Sequence, residues 1–79
     1  MTEFQKVLVI TPNGQYIDIE VGNQTTLGYI LFYCNISKEV IIFNNFGKRL
    51  LQHDKTLHDY DLWFPNDENF VVKLFIYKI

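Results

Sequence analysis

The sequence has not one alanine, a single cysteine, four glycines and two prolines in 79 residues. Each scarcity excludes something. One cysteine, Cys34, cannot close an internal disulfide, so the fold does not depend on an oxidising compartment. Gly14, Gly22, Gly28 and Gly47 stand apart from one another, so no glycine-rich loop exists to cradle a phosphate. No apolar run approaches the roughly 20 residues a bilayer-spanning helix needs. Met1-Thr2-Glu3-Phe4 has neither the basic start nor the apolar stretch of a secretory signal, and the chain is expected to be intracellular, cytoplasmic or nuclear. The triplets Asn23-Gln24-Thr25 and Asn35-Ile36-Ser37 match the glycosylation acceptor pattern, but in a chain with seven Asn that match is read as chance.

Charge is sparse too. Charged residues make up 20% of the chain and the net charge is −2, with Lys6, Lys38, Lys48, Arg49, Lys55, Lys73 and Lys78 scattered along it. No basic stripe can neutralise a run of phosphates, which argues against nucleic acid as a partner. There is no acidic block, repeat, linker or low-complexity segment. What the chain has in quantity is large apolar side chains: 48% hydrophobic and 16% aromatic, including seven Phe and five Tyr. That excess over charge is far from the signature of disorder, and with β-branched and aromatic residues dominant it favours strands. The expectation is one domain over residues 1–79, with a core filled by large side chains because alanine supplies none of it.

Read in order, Lys6-Val7-Leu8-Val9-Ile10 is an apolar, β-branched strand, predicted over about 5–11. Asn13-Gly14 is a strong hairpin signal, because both residues tolerate positive φ. The strand predicted over about 15–21 alternates strictly, with Ile17, Ile19 and Val21 on one face and Tyr16, Asp18 and Glu20 on the other. Pairing in that register puts Val7 and Val9 inward and Leu8 and Ile10 outward. Leu27, Ile30, Leu31 and Cys34 recur at helical spacing, so a helix is predicted over about 26–34, capped by Thr25 or Thr26 and stopped near Asn35. Strands follow over about 40–44 and, very short, 49–51, separated by an Asn44-Asn45-Phe46-Gly47 turn. A partly helical connection around Leu57–Leu62 and a loop at Phe64–Asn69 lead to the longest strand, about 70–77. The sum is an α+β fold: a mixed sheet of four or five strands with one short helix across one face.

Two stretches then resemble ubiquitin. Gly47-Lys48-Arg49-Leu50, followed by Thr56-Leu57-His58-Asp59-Tyr60-Asp61-Leu62, resembles the Gly-Lys-x-Leu and Thr-Leu-x-Asp-Tyr-x-Ile pattern of that family. Thr11-x-x-Gly14, Ile17-x-Ile19-Glu20-Val21 and Thr26-Leu27 align with its opening hairpin. The resemblance implies a β-grasp (ubiquitin-like roll) and a domain that binds other proteins. It also implies that Asp59 has a structural capping role and that Tyr60 packs over and hydrogen-bonds the connecting loop. The departures are informative: the segment from Thr26 to Phe43 is shorter than in ubiquitin, and extra residues fall near Asn44–Gly47 and Trp63–Asn69. Those placements resemble the spliceosome-associated ubiquitin-like proteins. The end, Phe75-Ile76-Tyr77-Lys78-Ile79, lacks the Gly-Gly through which modifiers of this family are conjugated. A non-conjugated interaction domain is therefore expected, with a ubiquitin-like modifier or a subunit of a larger, for example spliceosomal, complex as the alternatives.

The same resemblance implies which residues meet a partner. Ile42 matches the isoleucine at the centre of ubiquitin's recognition patch and is expected on the exposed sheet face, with Ile41 and Phe43 in the core. Pro12 takes the place of that patch's leucine, and Lys73 or Phe75 that of its valine. Lys48 stands where ubiquitin carries a chain-linking lysine. With Leu8, Ile10 and Tyr16 these make the expected protein-binding face: an apolar sheet surface rather than one stray residue. His53, Asp54, His58, Asp59 and Asp61 lack metal-ligand spacing, and Cys34 on the core stripe of the helix reads as an inert small hydrophobe. No metal, cofactor or catalytic residue is expected, nor a membrane or nucleic-acid partner. The long apolar last strand leaves a monomer or an edge-paired homodimer open.

Overall fold

The computed structural model describes residues 3–79; Met1 and Thr2, included in the expected domain, lie outside the described residues. A four-stranded sheet holds β1 (Gln5–Ile10), β2 (Tyr16–Val21), β3 (Val40–Phe43) and β4 (Val72–Lys78) in the spatial order β2-β1-β4-β3. The central pair β1 and β4 is parallel, and both outer pairs are antiparallel. Helix α1 (Leu27–Tyr33) packs on one face. This is an α+β arrangement compatible with a β-grasp, and the parallel centre follows from the long crossover between β1 and β4.

The hairpin forms as its sequence requires. Gly14 adopts φ +85°, the Thr11 N–H donates to Gln15 C=O at 2.8 Å, and the Thr11 hydroxyl accepts from the Gln15 N–H at 2.9 Å. The same hydroxyl donates to Asn13 Oδ1.

Helix α1 contains few strong helix formers and survives through its ends and its buried stripe. Thr26 is the N-cap, its hydroxyl accepting from the Tyr29 N–H at 3.1 Å. The Leu27 and Gly28 N–H groups donate to the carbonyls of Lys55 (2.9 Å) and His53 (2.7 Å), and Ile30 N–H reaches Thr26 C=O, so all four first-turn donors are satisfied. At the other end Asn35 turns left-handed at φ +58°, Asn35 N–H donates to Phe32 C=O and Ile36 N–H to Leu31 C=O. That paired closure is a Schellman motif with asparagine in the position glycine usually takes.

The core lies between the helix and the inward sheet face. Val7, Val9, Ile19, Val21, Val72, Leu74 and Ile76 meet Leu27, Ile30 and Leu31, and the connection closes the side with Leu50, Leu57 and Leu62. Ile17 and Cys34 are half-buried at its margin.

Three expectations about the strands need correction. Residues 49–51 do not form a fifth strand: Phe43 and Arg49 make one isolated bridge, and Leu50 N–H donates to Ile42 C=O. Leu50 then turns into the core while Leu51 points to solvent, so the chain leaves the sheet after one pair. The last strand starts at Val72 rather than at residue 70. Side-chain amides take the ladder's place there: Phe70 C=O accepts from Gln5 Nε2 at 3.4 Å and Val71 C=O from Asn45 Nδ2 at 2.9 Å.

The third correction concerns β3. Val40 and Ile42 are buried, Ile42 with 1% of its surface exposed, while Ile41 and Phe43 are half-buried on the opposite face. The expected assignment was one residue out of phase, and because side chains alternate with period two, that slip exchanges the whole set. All four residues of the strand are apolar, so the strand's own pattern carries no phase. Its pairing supplies it: Ile42 lies opposite buried Ile76, and Phe43 opposite Phe75. Among the described residues no helix is long and apolar enough to cross a membrane.

Candidate protein-interaction face

The sheet face away from the helix is built by the residues that alternate with the core. Register brings Tyr16 opposite Ile10, Ile10 opposite Phe75, and Phe75 opposite Phe43. One apolar row therefore crosses all four strands. Ile41 and Tyr77 form the next same-face pair along the β3–β4 ladder, and the Phe43 and Tyr77 rings meet edge-to-face with centroids 5.8 Å apart. On the other side of the row Leu8 lies between Asp18 and Lys73. Beyond it come Lys6 and Glu20, also paired. The face thus grades from aromatic at the hairpin end to mixed charge at the other.

Exposure differs along the row. Tyr16 is 73% exposed and Tyr77 55%, whereas Leu8, Ile10, Ile41, Phe43 and Phe75 are half-buried by their neighbours. Flat, rigid aromatic rings at the rim of an aliphatic floor are the composition found at protein–protein contact cores, where tyrosine and phenylalanine are enriched and lysine and glutamate are depleted.

Of the residues expected at a binding face, Leu8, Ile10, Tyr16, Lys73 and Phe75 share this surface. Pro12 is exposed in the hairpin turn and Lys48 in the turn after β3, both off the strands. Ile42 does not belong to the face, since it is buried in the core. Its place is taken by Phe43, with Ile41 and Tyr77 beside it; Ile41 and Phe43 were expected in the core, and Tyr77 was not among the expected face residues. The signal that finds Phe43 and Ile41 is the pairing of β3 with β4, in which the clear alternation of Lys73, Phe75 and Tyr77 against Val72, Leu74 and Ile76 sets the phase for its neighbour.

The polar cluster of the connection is structural in its geometry. Asp59 Oδ2 accepts from the Thr56 N–H at 3.0 Å and the Thr56 hydroxyl at 3.1 Å, and the Thr56 hydroxyl accepts from the Asp59 N–H at 3.1 Å. These reciprocal bonds form a capping box for the short 3₁₀ turn His58–Tyr60. Those hydrogen bonds, with lesser help from Lys55 and His58, hold the Asp59 carboxyl below the usual carboxylate range. The Tyr60 hydroxyl accepts from Gln52 N–H at 2.8 Å and donates to Gln52 C=O at 3.3 Å, tying down the preceding loop. Cys34 is half-buried at the end of α1, and desolvation pushes its thiol up, away from the nucleophilic thiolate form. Among the described residues no group of three or more His, Cys, Asp or Glu side chains is placed to hold a metal ion.

Neither a scan against protein-family models nor a search of curated proteins finds a match for this chain.

Proposed function

We propose that this chain is a non-catalytic, intracellular ubiquitin-like interaction domain that binds a partner protein through the outer sheet face. The observation that carries the reading is the apolar row Tyr16–Ile10–Phe75–Phe43 across all four strands, flanked by Leu8, Ile41 and Tyr77. A contiguous apolar surface of that kind costs solubility unless something covers it, and it offers a rigid platform whose backbone is already paired. The β-grasp-compatible topology and the Thr56–Tyr60 capping element support the ubiquitin-like half of the reading.

The test is a paired purification of partners from the native cell. Tyr16→Asp with Tyr77→Asp places two carboxylates at the exposed ends of the patch and gives up the Tyr77–Phe43 ring contact, at a cost on the order of 1–2 kcal/mol. Phe32→Asp, on the exposed side of α1, is the control. The expected result is that the double variant stays folded and loses the partners that wild type and Phe32→Asp retain. Retention of every partner by the double variant, with loss in Phe32→Asp, would move the binding site to the helix and overturn the assignment.

A further inference from the structure

A second feature lies at the opposite end of the sheet from the aromatic row. The loop before β4 folds as two successive turns, Asp67 N–H donating to Phe64 C=O and Phe70 N–H to Asp67 C=O, each at 3.2 Å, with Pro65 at the position of the first turn that suits its fixed φ. The turns bring Phe64 against Phe70 edge-to-face, with centroids 4.9 Å apart, and Phe46 stacks beside Phe70 at 6.3 Å and 17°. Phe64 and Phe70, with Phe4 and the start of β1, line a cavity of about 500 Å³.

The cavity is held open by a buried polar group. Gln5 is only 2% exposed although it occupies an inward position of β1 that an aliphatic residue would fill more cheaply. Its Oε1 accepts from the Phe64 N–H at 2.8 Å and its Nε2 donates to the Phe70 carbonyl at 3.4 Å. One amide thus fastens both aromatic-bearing segments to the first strand. The walls combine the rings of Phe4, Phe64 and Phe70 with the carboxylates of Glu20, Asp67 and Glu68, against the single ammonium of Lys6. Ring faces carry partial negative charge and attract cations, and the three carboxylates act in the same sense.

We propose that this cavity takes a basic side chain, arginine or lysine, of a bound polypeptide. The inference rests on the reading of the chain as a binding module, but not on the outer apolar row. Glu20 lies opposite Lys6 and Asp67 Oδ1 accepts from the Asn69 N–H at 3.1 Å, but three acids against one ammonium leave the rim net negative, a charge that an apolar side chain would not answer and an anion would meet as repulsion. A guanidinium on an aliphatic stem satisfies both the rings and the rim.

The probe is N-acetyl-arginine methylamide, with the lysine and norleucine analogues alongside, titrated into the ¹⁵N-labelled chain and followed by amide chemical shifts. The arginine compound is expected to give saturable shifts confined to residues 4–6, Glu20 and residues 64–70, weakening with added salt, while the neutral norleucine compound binds at least several-fold more weakly. Glu68→Gln and Phe64→Leu should each weaken the arginine compound about two- to fivefold, the range of one exposed cation–π or ion-pair contact. Lys6→Met should tighten it by a similar factor. Equal binding of norleucine, shifts centred away from these segments, or no saturation into the tens of millimolar would each overturn the proposal. Tyr16→Asp with Tyr77→Asp should leave this titration unchanged, so the pocket and the outer-face reading fail or stand separately.

Discussion

Replacing Ile42 and Ile41 in turn by alanine tests the phase of β3, on which the whole outer face depends. Ile42→Ala deletes three carbons from a side chain that is 1% exposed, opposite buried Ile76. At about 0.8 kcal/mol per buried carbon the transfer loss is roughly 2.4 kcal/mol. A residual void on the order of 50 Å³ adds about 1 kcal/mol at roughly 24 cal/mol per Å³. The expected cost is therefore about 3–4 kcal/mol. Ile41 is half-buried on an open face, where solvent fills the space left behind and no cavity forms. Its replacement should cost about 1 kcal/mol, a partial transfer term alone. With a urea m-value of about 1 kcal/mol/M for a chain this small, the midpoints should fall by about 3 M and 1 M. A domain of this size has only about 4–12 kcal/mol of stability, so Ile42→Ala should be visibly marginal. The assay is urea unfolding followed by fluorescence of Trp63, with m compared across variants. If Ile41→Ala proves the more damaging of the two, β3 is in the opposite phase and the apolar row loses Phe43.

Thr26→Ala removes the N-cap of α1 and should cost about 1 kcal/mol in the same unfolding assay, with Thr26→Ser close to wild type. Gln5→Leu strands the Phe64 N–H and the Phe70 carbonyl and should cost about 1–3 kcal/mol, with the Phe64 amide losing hydrogen-exchange protection ahead of the rest of the sheet. Asp59 has a folded-state pKa below its unfolded value, so its contribution is complete above the ordinary carboxylate range and is lost as pH falls through the depressed folded value. The stability gap between wild type and Asp59→Asn should accordingly be full at neutral pH and close as the solution is acidified below about 4, the unperturbed aspartate value. A gap that stays constant to low pH would mean that the Asp59 charge contributes nothing to the cap.

The elements were legible wherever local chemistry is decisive. Asn13-Gly14 can hardly avoid a tight turn, Thr26 and Asn35 carry the donors, acceptors and φ tolerance that helix ends demand, and the alternation of Tyr16–Val21 has only one register that buries Ile19 and Val21. These signals lie within a few residues of one another, so local chemistry was enough for the four strands, the helix, the partly helical connection and the α+β class, and went wrong only in adding a strand at 49–51. It also disclosed Leu8, Ile10 and Tyr16 as outward, because Asp18 and Glu20 mark the solvent side of the second strand and the hairpin register carries that phase to the first.

Long-range packing settled what local chemistry left open. Val40-Ile41-Ile42-Phe43 is apolar at every position, so nothing within it distinguishes core from surface, and a phase borrowed from resemblance put Ile42 outside. Hydrogen bonding to β4 reversed it, burying Ile42 and bringing out Phe43 and Ile41. Leu50-Leu51 reads as strand until Leu50 is drawn into the core and pairing stops. Gln5 reads as an ordinary polar residue at the edge of a strand until residues 59 and 65 positions further along arrive to share its amide. Alternation and capping are local and visible in one dimension; the phase of a uniformly apolar strand and the partner of a buried amide are set by what packs against them.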